Sequence, residues 1–375
     1  MLAAHMDVVP VDENTLDDWS YPPFSGAIAG NCVWGRGTLD CKGPLVSIME
    51  SAERLLEQGF RPARTLYLAF GDDEEVGGKR GAALIASTLE RRGVKAELVL
   101  DEGGLIVDGS AIGISRPLAL LGTCEKGYLS LELEVCCKGG HSSAPPRHSA
   151  IGILAKAIQR LESRPFPSRL QGTPTMTLVS LSPFVSPPAG FLLRKHRWFS
   201  PLLRKLLSGN NITNSLIRTT MATTVIAGGR KENVLPQRAR AVINLRIAPH
   251  DSVEGVINRA VKRISDDRVS IKPTGICQEA SRESRIDTPG FRALRRTLLE
   301  NFPQAIVTPY LVPAMTDARH YDCLSNSVFR FAPLRIGPQD RERMHGTDER
   351  IAIGNLEECT RFYSTLVLNI DRLPG

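Results

Sequence analysis

The chain has 375 residues, 42% hydrophobic and 23% charged, with 47 Lys and Arg against 40 Asp and Glu for a formal charge of +7. That length exceeds what one small core needs and predicts two domains, and no apolar run reaches the ~20 residues of a membrane-spanning helix. The cations are scattered rather than gathered in one block, which argues against nucleic acid and for a solvated basic surface or an anionic small-molecule substrate.

The first predicted element is a buried strand over Leu2-Ala3-Ala4-His5-Met6-Asp7-Val8-Val9. No helix, signal or transit segment precedes it, so an N-terminal part of the first domain is expected to be missing. Apolar residues at helical spacing (Leu45, Ile48, Met49, Leu55, Leu56) predict a helix from Gly43 to Gln58, stopped by Gly59. A strand from Arg64 to Phe70 breaks at Gly71, a helix from Lys79 to Arg92 closes at Gly93, and a strand from Ala96 to Leu100 ends at Asp101. Strands separated by helices of this length imply a parallel sheet covered on both faces.

The pattern changes near Glu125. Tyr128 to Cys137 alternates as a half-buried strand does, and a helix from Ala150 to Leu161 follows. Strands over Thr219 to Ile226 and Ala239 to Ile247, a helix over Ser252 to Ile264 and a strand near Val269 complete a strand-helix-strand-strand-helix-strand order. Helix and strand alternate again from about Thr288. The fold class is therefore α/β: a mixed sheet flanked by helices, built from residues 1–123 and 286–375, with an inserted α+β, ferredoxin-like domain at 124–285. One stretch stands apart. Phe191 to Leu207 interleaves eight large apolar residues with Arg194, Lys195, Arg197, Arg204 and Lys205, and reads as a basic amphipathic helix or a helix pair broken at Pro201. It is either a helix packed on its own domain or a contact for a membrane or lipid tail.

Eight cysteines contain no CxxC, and Cys136 and Cys137 are adjacent on a strand and point to opposite faces. Free buried thiols are expected, which leans towards a reducing, cytoplasmic compartment.

The chemistry lies in acids and histidines at strand ends, where open α/β sheets form their sites. His5 and Asp7, two apart on a strand, face the same way, so His5 can bind a metal while Asp7 accepts the other ring N–H. Asp40, in the glycine-punctuated turn Gly35 to Gly43, either bridges two metals or caps the following helix. Asp72-Asp73-Glu74-Glu75 directly after a strand is a concentration of charge that calls for cations nearby, unless it is an exposed acidic turn. Glu75 is the candidate ligand there and Glu74 the free base. Asp101 adds an oxygen and His345 a nitrogen. Nitrogen and oxygen ligands without thiolate suit zinc, with manganese or cobalt as substitutes.

These segments, with Leu100-Asp101-Glu102-Gly103-Gly104, Gly140-His141-Ser142-Ser143-Ala144-Pro145 and Met344-His345-Gly346, occur in the order found in the aminoacylase and carboxypeptidase family of di-zinc peptidases. Asn214 to Thr220, Asn233-Val234-Leu235-Pro236 and Asn244-Leu245-Arg246-Ile247 resemble its branch of carboxypeptidase S and N-fatty-acyl-amino-acid hydrolases. The resemblance covers essentially the whole chain. It implies two Zn2+ per chain, His5 and Asp101 on one, Glu75 and His345 on the other, Asp40 bridging, Asp7 behind His5 and Glu74 as general base. It further implies that His141 stabilises the oxyanion, that Arg246 grips the substrate carboxylate through its planar fork, and that Asn233 and Thr316 touch substrate. His148, His196, His250 and His320 match no ligand position. Family members carry a further helix and strand before the His-x-Asp strand.

The expected activity is hydrolysis of an amide bond beside a free carboxylate, in N-acyl amino acids or at the C-terminus of peptides, with water activated between the metals and deprotonated by Glu74. The inserted domain is expected to act as a lid and to form a homodimer. Rival readings are an aminopeptidase with a related ligand set, which lacks an acidic anchor where Arg246 stands, and a binding protein that retains the fold without catalysis.

Overall fold

The computed structural model describes residues 1–337 and 339–373. They divide into two compact units, Met1–Cys124 with Gly172–Phe199 and Arg282–Gly375, and Glu125–Gln171 with Ser200–Ser281.

The first unit is built on an eight-stranded mixed sheet. One end of it is four parallel strands in the order Val328–Arg330, Val99–Asp101, Leu2–His5, Leu68–Gly71, so their carboxyl ends, Arg330, Asp101, His5 and Gly71, lie together. Leu118–Glu125 continues the sheet antiparallel beside Val328–Arg330. Successive side chains of a strand face opposite ways, and the two cores follow from that period. Leu2, Ala4, Leu100 and Phe329 face one side, packing with Ile48 and Leu55 of the helix Lys42–Glu57 and with Leu294, Leu298, Phe362 and Leu366 of two later helices. Ala3, Ala69, Val99 and Val328 face the other, against Ala82, Ala86 and Leu89 of the helix Ala82–Arg91 and against Ala318 and Tyr321. Burial on both faces is what makes these strands read as short continuous apolar runs.

Several predicted elements are shorter than expected. The first strand stops at His5, short of Val9, and the strand expected over Arg64–Phe70 forms only at Leu68–Gly71. Residues 172–199, expected within the insert at 124–285, belong to the first unit. There the helix Thr173–Leu181 packs on the strand Ile306–Val312: Thr177 Oγ1 donates to Pro309 O at 2.6 Å, and Leu181 joins Ile114, Leu118 and Ile306 in a small apolar cluster.

The second unit is an antiparallel four-stranded sheet, in the order Thr220–Gly228, Arg238–Ile247, Gly127–Cys136, Val269–Gln278, with the helices Ala150–Glu162 and Val253–Ile264 on one face. Leu129, Leu131, Leu133 and Val135 point to the helices, and Ala239, Ala241, Ile243, Leu245 and Ile247 do the same from the neighbouring strand. This is the split β-α-β order expected from the sequence. A separate two-stranded ribbon pairs Gly140–His141 with Val234–Leu235.

The basic amphipathic stretch is two helices, Pro187–Arg194 and Ser200–Leu207. The break falls at residues 195–199 rather than at Pro201. Pro201 sits in the first turn of the second helix, where a missing N–H leaves no bond unmade. The two helices belong to different units. No helix among the described residues is long and apolar enough to cross a membrane.

Candidate metal centre

The carboxyl edge of the parallel strands carries His5 at the end of its strand, Glu74 and Glu75 in a single 3-10 turn just past Gly71, and Glu102 just past Asp101. Asp40 and His345 arrive on two turns from opposite ends of the chain. Asp40 joins them: its Oδ1 lies 2.9 Å from His5 Nε2, and its Oδ2 lies 2.9 Å from His345 Nε2. His345 Nε2 is also 3.4 Å from Glu75 Oε1, an oxygen buried with no hydrogen-bond donor. Ligand atoms converge in sets that share residues: His5, Asp40 and Glu102 in one, Asp40, Glu75 and His345 in another, and His5, Glu74 and Glu75 in a third.

The expected carboxylate after the strand Val99–Asp101 has to be corrected from Asp101 to Glu102. Asp101 is the third residue of that strand and shares the face of Val99, on the side of Asp317 and Tyr321, whose ionisation its charge opposes. Glu102, just past the end of the strand, joins His5 and Asp40. Asp-Glu at a strand end offers either acid; the strand stops at Asp101, and it is Glu102, in the loop beyond, whose oxygen reaches His5 and Asp40.

Asp7 also differs from expectation. It lies beyond the strand, and His5 Nδ1 is 2.9 Å from the Asp7 backbone oxygen and 3.4 Å from its carboxylate. Nδ1 therefore donates to the carbonyl, which leaves Nε2 as the ligand nitrogen once its proton is gone. The Asp7 carboxylate instead accepts the backbone N–H of Glu74 at 3.2 Å and of Glu75 at 3.1 Å, and so holds the acidic turn against the first strand. Within that turn Asp73 accepts from Arg80 N and Gly81 N, both at 2.8 Å, which is a structural task. Asp40 is no helix cap: the cap position is Cys41, which makes no side-chain capping bond.

Burial opposes the charge on Asp40, but hydrogen bonds from His345 and His5 hold its carboxyl well below the usual range. Burial likewise opposes a charged His5, yet the Asp40 hydrogen bond, Cys41 and Glu102 outweigh it and hold the imidazole far above its ordinary value. His345 is raised to about 10 by its bonds to Asp40 and Glu75, against burial. Burial first, then Asp317, Asp40 and Glu75, push Glu74 up to about 9 despite the opposing pull of His5. Burial, then Asp40, Glu74 and Asp101, raise Glu102 well above the carboxylate range. A cluster that must take up protons to balance its own acids is short of positive charge, and its donors are all nitrogen and oxygen. Divalent cations fit both conditions.

The remaining expected residues are placed as follows. Thr316, expected to touch substrate, is buried, and its hydroxyl accepts from Ala318 N to cap the turn Asp317–Cys323. His320 Nε2 lies 3.2 Å from Gly77 O and supports the acidic turn. His141, Asn233 and Arg246 belong to the second unit. His141 Nδ1 accepts from Ser143 N at 3.2 Å and pairs with Ser143 Oγ at 2.8 Å, and Asn233 O accepts from Ser142 N. The Arg246 guanidinium lies over the Tyr128 ring, 4.6 Å from its centroid. None of the eight cysteines is in a disulfide, and the expected burial holds for Cys41, Cys124 and Cys359 but not for Cys136, Cys277 and Cys323, which are exposed.

The model of peptidase family M20/M25/M40 matches residues 1–369. A probable carboxypeptidase S-like protein of Dictyostelium discoideum is 40% identical over 374 residues, covering 99% of this chain and 72% of its own. An N-fatty-acyl-amino acid synthase/hydrolase of Danio rerio is 40% identical over 380 residues, with 99% and 72% covered. Among solved structures, a metallo-carboxypeptidase of Sulfolobus solfataricus superposes with a TM-score of 0.73 at 19% identity, covering 99% of this chain and 85% of that one.

Two outcomes follow from this geometry. Glu102→Gln is expected to lower the zinc content measured by atomic absorption, while Asp101→Asn leaves it unchanged; the reverse pattern restores Asp101 as the ligand. Because His5, His345 and Glu102 are all raised, each carries a proton at pH 7 in the metal-free chain, and a metal must displace it. Zinc binding at pH 7 should release about three protons per chain and strengthen as pH rises towards 10. Calorimetry in buffers of different ionisation enthalpy measures the release, and a value near zero contradicts the histidine assignment.

Proposed function

This chain belongs to peptidase family M20/M25/M40 and is a metal-dependent amide hydrolase, and from that premise we propose that it cleaves N-acyl amino acids with two zinc ions. The observation that carries the reading is the Asp40 carboxylate, divided between two histidines that each have a glutamate of their own. His5, Asp40 and Glu102 would hold one ion, and Asp40, Glu75 and His345 the other. When bound, such a pair would supply Lewis acidity and lower the pKa of water towards about 7.

The protein's own groups supply the rest. Glu74 is not needed to complete either three-residue ligand set, and cations beside it would lower its pKa from the raised value of the metal-free chain, leaving a carboxylate to take a proton near neutral pH. Glu74 takes the proton of the attacking water on a carboxylate oxygen, then returns it to the leaving amine nitrogen. We assign His141 to the carbonyl oxygen as negative charge grows there. The support is its tautomer: Nδ1 accepts the Ser143 backbone N–H, so the proton sits on Nε2, a neutral donor of the type that oxyanion stabilisation needs. Arg246 is assigned to the substrate carboxylate, its guanidinium held in orientation by Tyr128.

The acyl side of the substrate needs an apolar partner, and the helix Pro187–Arg194 with its following turn supplies one. Trp198 is 85% exposed and Phe191 49%, beside Arg194, Lys195 and Arg197. We assign this surface to a long acyl tail or the lipid surface that delivers it. A symmetric dimer is also part of the reading, supported by the edge strand Thr220–Gly228, which exposes Val225 and Ile226.

Glu74→Gln should retain zinc and the native circular dichroism spectrum but lose N-acyl amino acid hydrolysis by several orders of magnitude, with aminoacyl amides untouched by either form. Loss of zinc in this variant, or faster cleavage of the aminoacyl amides by the native chain, defeats the assignment. Each buried methylene contributes about 0.8 kcal/mol, so kcat/KM should climb steeply with acyl length and flatten in Trp198→Ala. A steep series unchanged by that substitution returns Trp198 to the solvent.

A further inference from the structure

Asp40 and His345 lie 305 residues apart in sequence, yet two atoms of one side-chain pair must meet within hydrogen-bond distance. Neither residue is on a strand. What sets one turn against the other is Glu349, a fully buried carboxylate four residues past His345. Its Oε2 accepts from Arg36 Nη1 at 2.7 Å and from Gly37 N at 2.9 Å. Its Oε1 accepts from Leu39 N at 2.8 Å and from Asp40 N at 3.2 Å. Its backbone oxygen accepts from Gly35 N at 2.9 Å, and Arg36 Nη2 reaches on to Gly346 O at 2.9 Å. The turn from Gly35 to Asp40 is thus wrapped around one carboxylate, and its arginine clasps the residue next to His345.

The other side of the same loop is also tied down. His345 and Asp348 both have φ near +60° (63° and 60°), a left-handed conformation uncommon outside glycine, though Asp and His adopt it more readily than most. Asp348 is held there by Ser20, whose N and Oγ donate to its carboxylate at 2.7 and 2.8 Å. Neither Arg36, Glu349 nor Ser20 offers a ligand atom to the cluster.

We propose that Glu349 is a positioning residue of the metal centre, whose carboxylate fixes the turn of Asp40 against the turn of His345. This rests on the reading that Asp40 and His345 hold metal. The chemistry of the site demands a carboxylate of this length. Both oxygens face two donors and no acceptor, so the amide nitrogen of a glutamine, in either orientation, meets two N–H groups. Aspartate keeps the charge but falls short by about 1.5 Å. Lysine at 36 keeps the charge of arginine but not the fork that holds Glu349 and Gly346 O together.

The test is zinc titration of the full, metal-stripped chain against a competing chelator, for Glu349→Gln, Glu349→Asp, Arg36→Lys and Asp40→Ala. Far-UV circular dichroism and thermal melting of each stripped protein report the fold. Groups that hold metal ligands in place typically contribute 10–100-fold in affinity, and a weakening of roughly that size is expected in the folded Glu349 and Arg36 variants, in both binding steps because Asp40 is shared. A merely structural Glu349 would lower the melting temperature while the folded protein bound zinc as the native chain does, and that result overturns the proposal. Should Glu349→Gln fail to fold, Arg36→Lys and Glu349→Asp carry the same comparison. If Asp40→Ala loses zinc while these variants keep native affinity, the positioning role alone is wrong; if Asp40→Ala keeps zinc, the metal reading beneath it falls.

Discussion

The arrangement of the first unit depends on one carboxylate standing between two imidazoles. Asp40 takes His5 on one oxygen and His345 on the other, and these three residues come from the first strand, the turn before the first long helix and a loop near the end of the chain. For them to meet, the final helices must pack back on the sheet beside the first helix. They do so through the apolar face that carries Leu2, Ala4 and Leu100, where Ile48 and Leu55 meet Phe362 and Leu366. The geometry of the site is therefore a by-product of closing one hydrophobic face over the carboxyl edge of parallel strands. That edge is also where loops are free to carry polar groups, since the strands themselves are covered on both sides.

Gathering acids there has an electrostatic cost. Glu74 and Glu102 lie near His5, and Asp101 and Asp317 form a second acidic pair close by. Burial, then Asp101 and after it Asp73 and Asp7, push Asp317 up to about 8 against the pull of His5. Its carboxylate leaves no room for side chains around it: a Cβ on Gly71 would lie 2.7 Å from Asp317 Oδ2, and one on Gly78 2.1 Å from Oδ1. Those glycines bracket the acidic turn, so the same contact that crowds Asp317 also shapes the segment bearing Glu74 and Glu75. Cations beside these acids relieve every one of them, which is why the donor set and the proton excess point the same way.

The second unit meets a different demand, that of holding polar groups ready on a small sheet. Its helices cover one face, and the other carries Glu132, Glu134, Arg238 and Arg240 in cross-strand pairs. Lys126 is buried where the chain enters this sheet and donates to Ser215 O at 3.0 Å and Arg218 O at 2.9 Å, tying the helix Asn211–Ile217 to it. Burial and then the charge of Arg246 lower Lys126 to about 7, with Asp251 opposing. Lys126 is therefore only partly charged at neutral pH beside Arg246, whose guanidinium lies over the Tyr128 ring.

The sequence by itself determined what local chemistry can determine. Alternation in Leu129 to Val135, helical spacing in Leu45 to Leu55 and the stops at Gly59 and Gly93 gave the elements, because a period of two or 3.6 is written into any half-buried segment. The order of histidines and acids at strand ends gave the kind of site and most of its members. What tertiary structure alone decided was orientation and partnership. Asp101 and Glu102 are equivalent acids in the sequence, and only the fold, which ends the strand at Asp101, brings Glu102 from the following loop to His5 and Asp40. Asp7 looked like the carboxylate behind His5, but the strand ends at His5, so the carboxylate turns to the backbone of Glu74 and Glu75. Residues 172–199 carried no mark of the unit they join, because a helix with one apolar stripe can lie on any sheet that offers one. Glu349 had no local signature at all: an acid near the end of the chain acquires its meaning only when Arg36 and three backbone N–H groups, more than three hundred residues away, close around it.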